Sequence, residues 1–236
     1  MNLLLTLQTT AAEALPTLST MQTTTAQPES LRFFDMALKG GWLMLPLFLL
    51  LLIAIYLFVE RLLAINAASK VDPMFMNRIK DYILNSKIES ALKLCKQTNT
   101  PSSRMIEKGI ARIGRPMNDV QVAIENMGNI EVSKLERGLS VLASVAGGAP
   151  MIGFLGTVLG MVQAFYDMAS AGSNVDISIL SSGIYVAMVT TVAGLIVGIV
   201  AYFANNYLVS RIRSLVTNLE TTTMEFMDLL HEPTKL

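Results

Sequence analysis

The sequence predicts an all-α integral membrane protein: three transmembrane helices, a cytoplasmic helical bundle between the first and second, and second and third helices extended into the cytoplasm. Three observations carry this expectation. Of the 236 residues, 52% are hydrophobic and only 15% charged, against about a quarter charged in a typical soluble domain. Three runs, 41–59, 139–166 and 177–209, contain no Asp, Glu, Lys, Arg or His, and about twenty such residues cover a hydrocarbon core roughly 30 Å thick. The basic residues are divided very unevenly among the connecting segments.

Residues 1–38 form an external extension. The stretch is rich in Thr, Gln, Ala and Pro (TLSTMQTTTAQPES) and has no basic residue ahead of its short apolar run at 3–7. A cleaved signal peptide normally needs that basic region, so the segment reads as flexible and translocated with the first span, with removal of its first dozen residues as the alternative. Residues 32–39 (RFFDMALK) suit a short helix on the outer membrane surface, with Phe33, Phe34, Met36 and Leu38 as its apolar contacts. The first transmembrane helix occupies 39–60 (GWLMLPLFLLLLIAIYLFV at its centre), and Trp42 at its outer end reads as an interfacial anchor.

Residues 61–138 carry mixed charges and amphipathic spacing at Ile79, Ile83, Leu84, Ile88, Leu92 and Leu94, which predicts a small helical bundle. Asp72-Pro73, Thr100-Pro101 and Gly114-Arg115-Pro116 supply its breaks. After Pro116, Asn118 or Asp119 can cap a helix running through Ile124, Met127, Val132 and Leu135 and on, without a breaker, into the second span. One rod would then join cytoplasm to membrane core. The second transmembrane helix occupies 139–168, an outer loop 169–176, the third transmembrane helix 177–209, and a cytoplasmic C-terminal tail 210–236.

Direction follows from charge. Arg32 and Lys39 precede span one, thirteen Lys and Arg lie between 61 and 137, none separates spans two and three, and Arg211, Arg213 and Lys235 follow the third. Positively charged segments stay inside. The N-terminus is therefore outside, and the C-terminus inside after an odd number of crossings.

Other function classes are poorly served. Eighteen basic and eighteen acidic residues leave no net charge to recruit nucleic acid. Cys95, the only cysteine, allows no internal disulfide, fits a reducing compartment and is a poor nucleophile. His231, the only histidine, has no ligating neighbour in sequence. No phosphate loop, metal-ligand spacing or nucleophile elbow occurs, so neither enzyme, metal nor cofactor is expected. A secondary transporter is disfavoured as well, because the spans show no inverted repeat and no interrupted helix with charged ligands.

In span two, Ala149, Gly153, Gly156, Thr157, Gly160 and Ala164 recur every three or four residues, a stripe of small side chains on one helical face. Span three repeats it with Gly183, Ala187, Thr190, Thr191, Gly194, Gly198 and Ala201. GTVLG and GLIVG are both GxxxG patterns, which predict close helix association, here expected to hold an oligomer together. Thr157, Thr190 and Thr191 place hydroxyls at membrane depth. Each either bonds back to its own helix or belongs to a polar track for protons. No span interior holds Asp, Glu, His, Lys or Arg, although proton relays usually place such a group there despite its cost. If this chain handles protons, the titrating group comes from elsewhere.

The run APMIGFLGTVLGMVQAF at 149–165 resembles the signature of the ExbB/TolQ/MotA proton-channel family, and GIYVAMVTTVAGLIVGI at 183–199 resembles that family's last span. Weaker likenesses are Glu60-Arg61 just inside span one and LERGLSVLASVAG at 135–147. The three-span count fits ExbB or TolQ, since MotA has four spans, and the external extension leans toward ExbB. The resemblance implies a homopentamer in the bacterial inner membrane, with its N-terminus periplasmic, whose second and third spans surround a pore. That pore would hold an ExbD-like single-span partner bringing a membrane aspartate. With it, the proton motive force would energise a TonB-like protein for transport through the outer membrane, or, in a TolQ-type motor, serve envelope integrity.

Carried over by position, Thr157 and Thr191 match the family's pore-facing threonines, with Thr190 beside them on the expected proton pathway. Pro150, Gly153, Gly156 and Gly160, and Gly194 and Gly198 in span three, take the helix-packing positions. One departure stands out: many ExbB proteins carry a glutamate three residues after the Gly of the Gly-Ile segment, where this chain has Val186.

Overall fold

The structure, a computed structural model, describes residues 41–70, 72–171 and 177–231. The external extension, the surface helix expected at 32–39 and most of the 169–176 loop lie outside the described residues. Those described form helices and short turns, with no strand among them, so the all-α expectation holds. In chain order the helices are α1 (Met44–Ala68), α2 (Phe75–Leu84), α3 (Ile88–Thr98), α4 (Pro101–Ile110), α5 (Met117–Glu136), α6 (Leu139–Ser170) and α7 (Ile177–His231). Three stretches, Met44–Ala68, Met117–Ser170 and Leu180–His231, are long and apolar enough to cross a membrane.

Each break has a local cause. Before α2, the Asp72 carboxylate accepts from the Met74 amide at 2.9 Å, closing a turn around Pro73. Before α4, Thr100 and Ser103 form a reciprocal capping box, each side chain accepting from the other's backbone N–H (3.3 and 2.9 Å), with Pro101 at the first helical position. α5 starts directly after Pro116, so neither Asn118 nor Asp119 is its cap; Asp119 instead lies in the first turn, where a carboxylate suits the positive helix end.

The rod expected from α5 through span two is interrupted. Arg137 is extended (φ −57°, ψ 127°) and Gly138 left-handed (φ 87°, ψ −12°), so α5 ends at Glu136 and α6 begins at Leu139. An L side chain at that φ costs about 1–2 kcal/mol, which glycine avoids. By contrast, the segment expected as a tail after 209 continues α7 to His231. Its 55 residues span about 80 Å at 1.5 Å per residue, well over twice a bilayer core.

Two apolar cores result, and α7 contributes to both. The first joins α1, α6 and the middle of α7 through Leu47, Ala54, Ile65, Leu142, Val145, Ala149, Ala201 and Leu208. The second lies among α2, α3, α4, α5 and the end of α7, with Phe75, Ile79, Cys95, Ile106, Ile124, Leu219 and Phe226 at its centre. Of the amphipathic positions read from sequence, Ile79, Ile83, Ile88, Leu92 and Leu94 belong to this second core, whereas Leu84, at the end of α2, is 46% exposed.

Candidate functional site

The small-residue stripes of α6 and α7 face each other within one chain. A Cβ on Gly153 would lie 3.0 Å from the Thr190 carbonyl and 3.1 Å from the Gly194 Cα; one on Gly160 would lie 2.9 Å from the Ala187 Cβ. Gly198 lies against the Pro150 ring, where a Cβ would come within 2.5 Å of Cγ. Pro150 has no N–H for the Ala146 carbonyl, yet α6 stays helical through it. The face expected to hold an oligomer together is thus already filled by the chain's own hairpin of spans.

This contact brings the three threonines to one level and then separates their roles. Thr190 is 1% exposed and sits opposite Gly156, where a Cβ would come within 2.5 Å of its Oγ1. Its hydroxyl donates back to its own helix, to the Ala187 carbonyl at 2.8 Å and the Val186 carbonyl at 3.3 Å. Thr190 is therefore packed inside the hairpin and bonded to its own helix.

Thr157 and Thr191 behave differently. Their hydroxyls contact each other directly. Thr157 donates across to the Ala187 carbonyl at 3.2 Å, closer than the 3.5 Å to Gly153 on its own helix. Thr191 donates across to the Gly153 carbonyl at 3.0 Å, against 3.5 Å back to Ala187. Both residues are half-buried at the edge of the helix pair. Two hydroxyls and two carbonyls thus form a compact oxygen cluster, able to accept, donate and relay a proton but without a group that titrates near neutrality. Val158 and Met188, their apolar neighbours in sequence, are 43% and 61% exposed.

Outside the spans, two features bear on chemistry. Cys95 is fully buried; burial first and the Glu107 carboxylate second push its thiol up to about 12. Glu131, on α5, was not singled out from sequence. Its side chain is 3% exposed and pairs with Arg104 of α4 and with Lys134, the latter at 2.7 Å. Burial alone would push this carboxyl up, but the two cations together hold it below its ordinary value. Glu131 and Lys134 are readable as a helical i, i+3 pair; the Arg104 partner, 27 residues away, has no local signal. Among the described residues no group of His, Cys, Asp and Glu could hold a metal ion.

Comparison with known proteins covers this same region. A family model described as the MotA/TolQ/ExbB proton channel family matches residues 97–221, from the end of α3 into α7. A biopolymer transport protein ExbB homolog of Methanothermobacter thermautotrophicus is 29% identical over 177 residues, 73% of this chain and 62% of that protein. The Tol-Pal system protein TolQ of Haemophilus influenzae is 31% identical over 136 residues, covering 58% of this chain and 55% of the relative. The biopolymer transport protein ExbB of Xanthomonas campestris pv. campestris is 33% identical over 98 residues, or 42% and 38% of the two chains. The chain spans less than two thirds of the length of each of these relatives.

Proposed function

The chain belongs to the MotA/TolQ/ExbB proton channel family, and from that premise we propose that it is the scaffold subunit of an ExbB-type proton-driven motor. In this reading five copies surround a pore in a bacterial inner membrane, with N-termini periplasmic and C-termini cytoplasmic. An ExbD-like single-span partner occupies the pore and supplies the aspartate that this chain's spans lack. Together they would use the proton gradient to energise a TonB-like protein.

The observation that carries the reading is the Thr157–Thr191 oxygen cluster, bonded across two helices and half-buried at their edge. A partner carboxylate arriving there would find hydroxyls to exchange its proton with. Its charge in the membrane field is worth about 2.3 kcal/mol per 100 mV. That energy drives motion only if protons do not leak, a sealing role suited to Val158 and Met188. With Val186 where many ExbB proteins carry glutamate, the route relies on the partner aspartate and the threonines.

A second reading, a TolQ-type motor serving envelope integrity, is supported by the TolQ relative, 31% identical over 136 residues. Copurification separates the two: a TonB-like protein marks the first, a TolA-like protein the second. The shared core is tested by native mass spectrometry of the chain coexpressed with its single-span partner. Five copies with partner helices bound are expected. A monomer, or a complex that never retains the partner, would overturn the reading.

A further inference from the structure

The inner end of span one and the foot of span two meet at a polar joint that neither the threonine cluster nor the glycine packing uses. Arg61, on α1, has a side chain only 15% exposed. Its Nη1 donates to the Lys134 carbonyl at 3.2 Å, in the last turn of α5, and its Nη2 pairs with the Glu60 carboxylate at 2.7 Å. Carbonyls of a last helical turn lack intrahelical donors and form the negative end of the helix dipole. A guanidinium placed there holds α5 by its end, where the chain stops being helical. The third donor, Nε, is buried without an acceptor and lies 3.8 Å from where a Cβ on Gly138 would be.

The turn just before it is gripped from the other side. Arg104 and Lys134 converge on Glu131, and Arg104 also donates to the backbone and side-chain oxygens of Asn99 at 2.8 and 2.7 Å. The end of α5 is therefore tied to α1 through Arg61 and to the α3–α4 hairpin through Arg104. Only Arg137 and Gly138 separate it from α6.

We propose that Arg61 is a positioning residue for proton-coupled work: by clamping the last turn of α5 to α1 it sets the angle at which α6 leaves the cytoplasmic bundle, and so how Gly153, Gly156 and Thr157 sit against α7. The proposal rests on the proton-coupled reading for its effect on activity, but not for the clamp itself.

The test compares Arg61→Gln and Arg61→Lys in the full chain with its partner, by hydrogen exchange on the purified complex and by proton-dependent uptake normalised to complex yield. Arg61→Gln should speed exchange at least tenfold at residues 137–142, change it measurably at 153–160 as well, and cut uptake per complex at least fivefold at unaltered yield. Arg61→Lys should recover part of the uptake, since an ammonium can reach the Lys134 carbonyl but cannot hold Glu60 with the same fork geometry. Unchanged exchange at 137–142 would overturn the clamp. Full uptake by Arg61→Gln, or a fall in yield and thermal midpoint parallel to uptake, would overturn the positioning role. Faster exchange together with full uptake by the Thr157 and Thr191 variants would instead count against the proton reading while leaving the clamp in place.

Discussion

Thr157 and Thr191 exchange acceptors: each hydroxyl bonds the carbonyl four residues before the other, Thr157 to Ala187 and Thr191 to Gly153, more closely than the equivalent carbonyl on its own helix. A threonine in an isolated helix bonds back, as Thr190 does. The crossed pattern exists because glycines at 153, 156 and 194 let the two backbones approach until cross-helix carbonyls are nearer than local ones.

That dependence makes glycine size the first thing to vary. Gly153→Leu or Gly156→Leu should force α6 and α7 apart, at a cost of about 1–3 kcal/mol or more for overpacking, and lower the thermal midpoint of the purified protein. Gly147→Ala, where a Cβ meets nothing within 4 Å, should be neutral or gain up to about 1 kcal/mol from helix propensity. Thermal unfolding of the three variants in one detergent checks this; equal midpoints would show that the hairpin is not held by this contact.

The spans were legible in the sequence because uncharged runs of this length have few alternatives in water, and the bundle because Ile79, Ile88 and Leu92 repeat at helical spacing. Gly138 was not. In LERGLS a glycine is compatible with an unbroken helix, and only its left-handed φ of 87° after an extended Arg137 reveals the break. The threonines were identifiable as polar groups at depth, but which bonded across and which bonded back depended on the rotation of α6 against α7. Glu131 looked like one more surface charge, since its burial comes from α4 folding over it.

Glu131 should make stability depend on acidity. Its folded pKa is depressed below the ordinary 4.5, so its contribution is complete above about that pH and is lost as pH falls through the lower folded value. Glu131→Gln should cost about 1–3 kcal/mol at pH 7, the exposure of Lys134 keeping it below the value for a fully buried pair. The gap between wild type and variant should shrink toward pH 3. Denaturation at the two pH values measures it, and an equal gap at both would reassign Glu131 to packing.

Cys95 should resist alkylation. With its thiol pushed up to about 12 and no exposed surface, the thiolate is scarce near neutrality. Maleimide labelling at pH 7.5 should be at least a hundredfold slower in the folded protein than in the denatured chain. Comparable rates would place this helix outside the second core.

The measurement closest to the central claim is proton-dependent uptake per assembled complex in the Thr157→Val, Thr191→Val double variant, which keeps side-chain shape but removes both hydroxyls. The complex should form at wild-type yield while uptake falls at least tenfold. Undiminished uptake at normal yield would contradict the claim, because the oxygen cluster between α6 and α7 would then be unnecessary for moving protons.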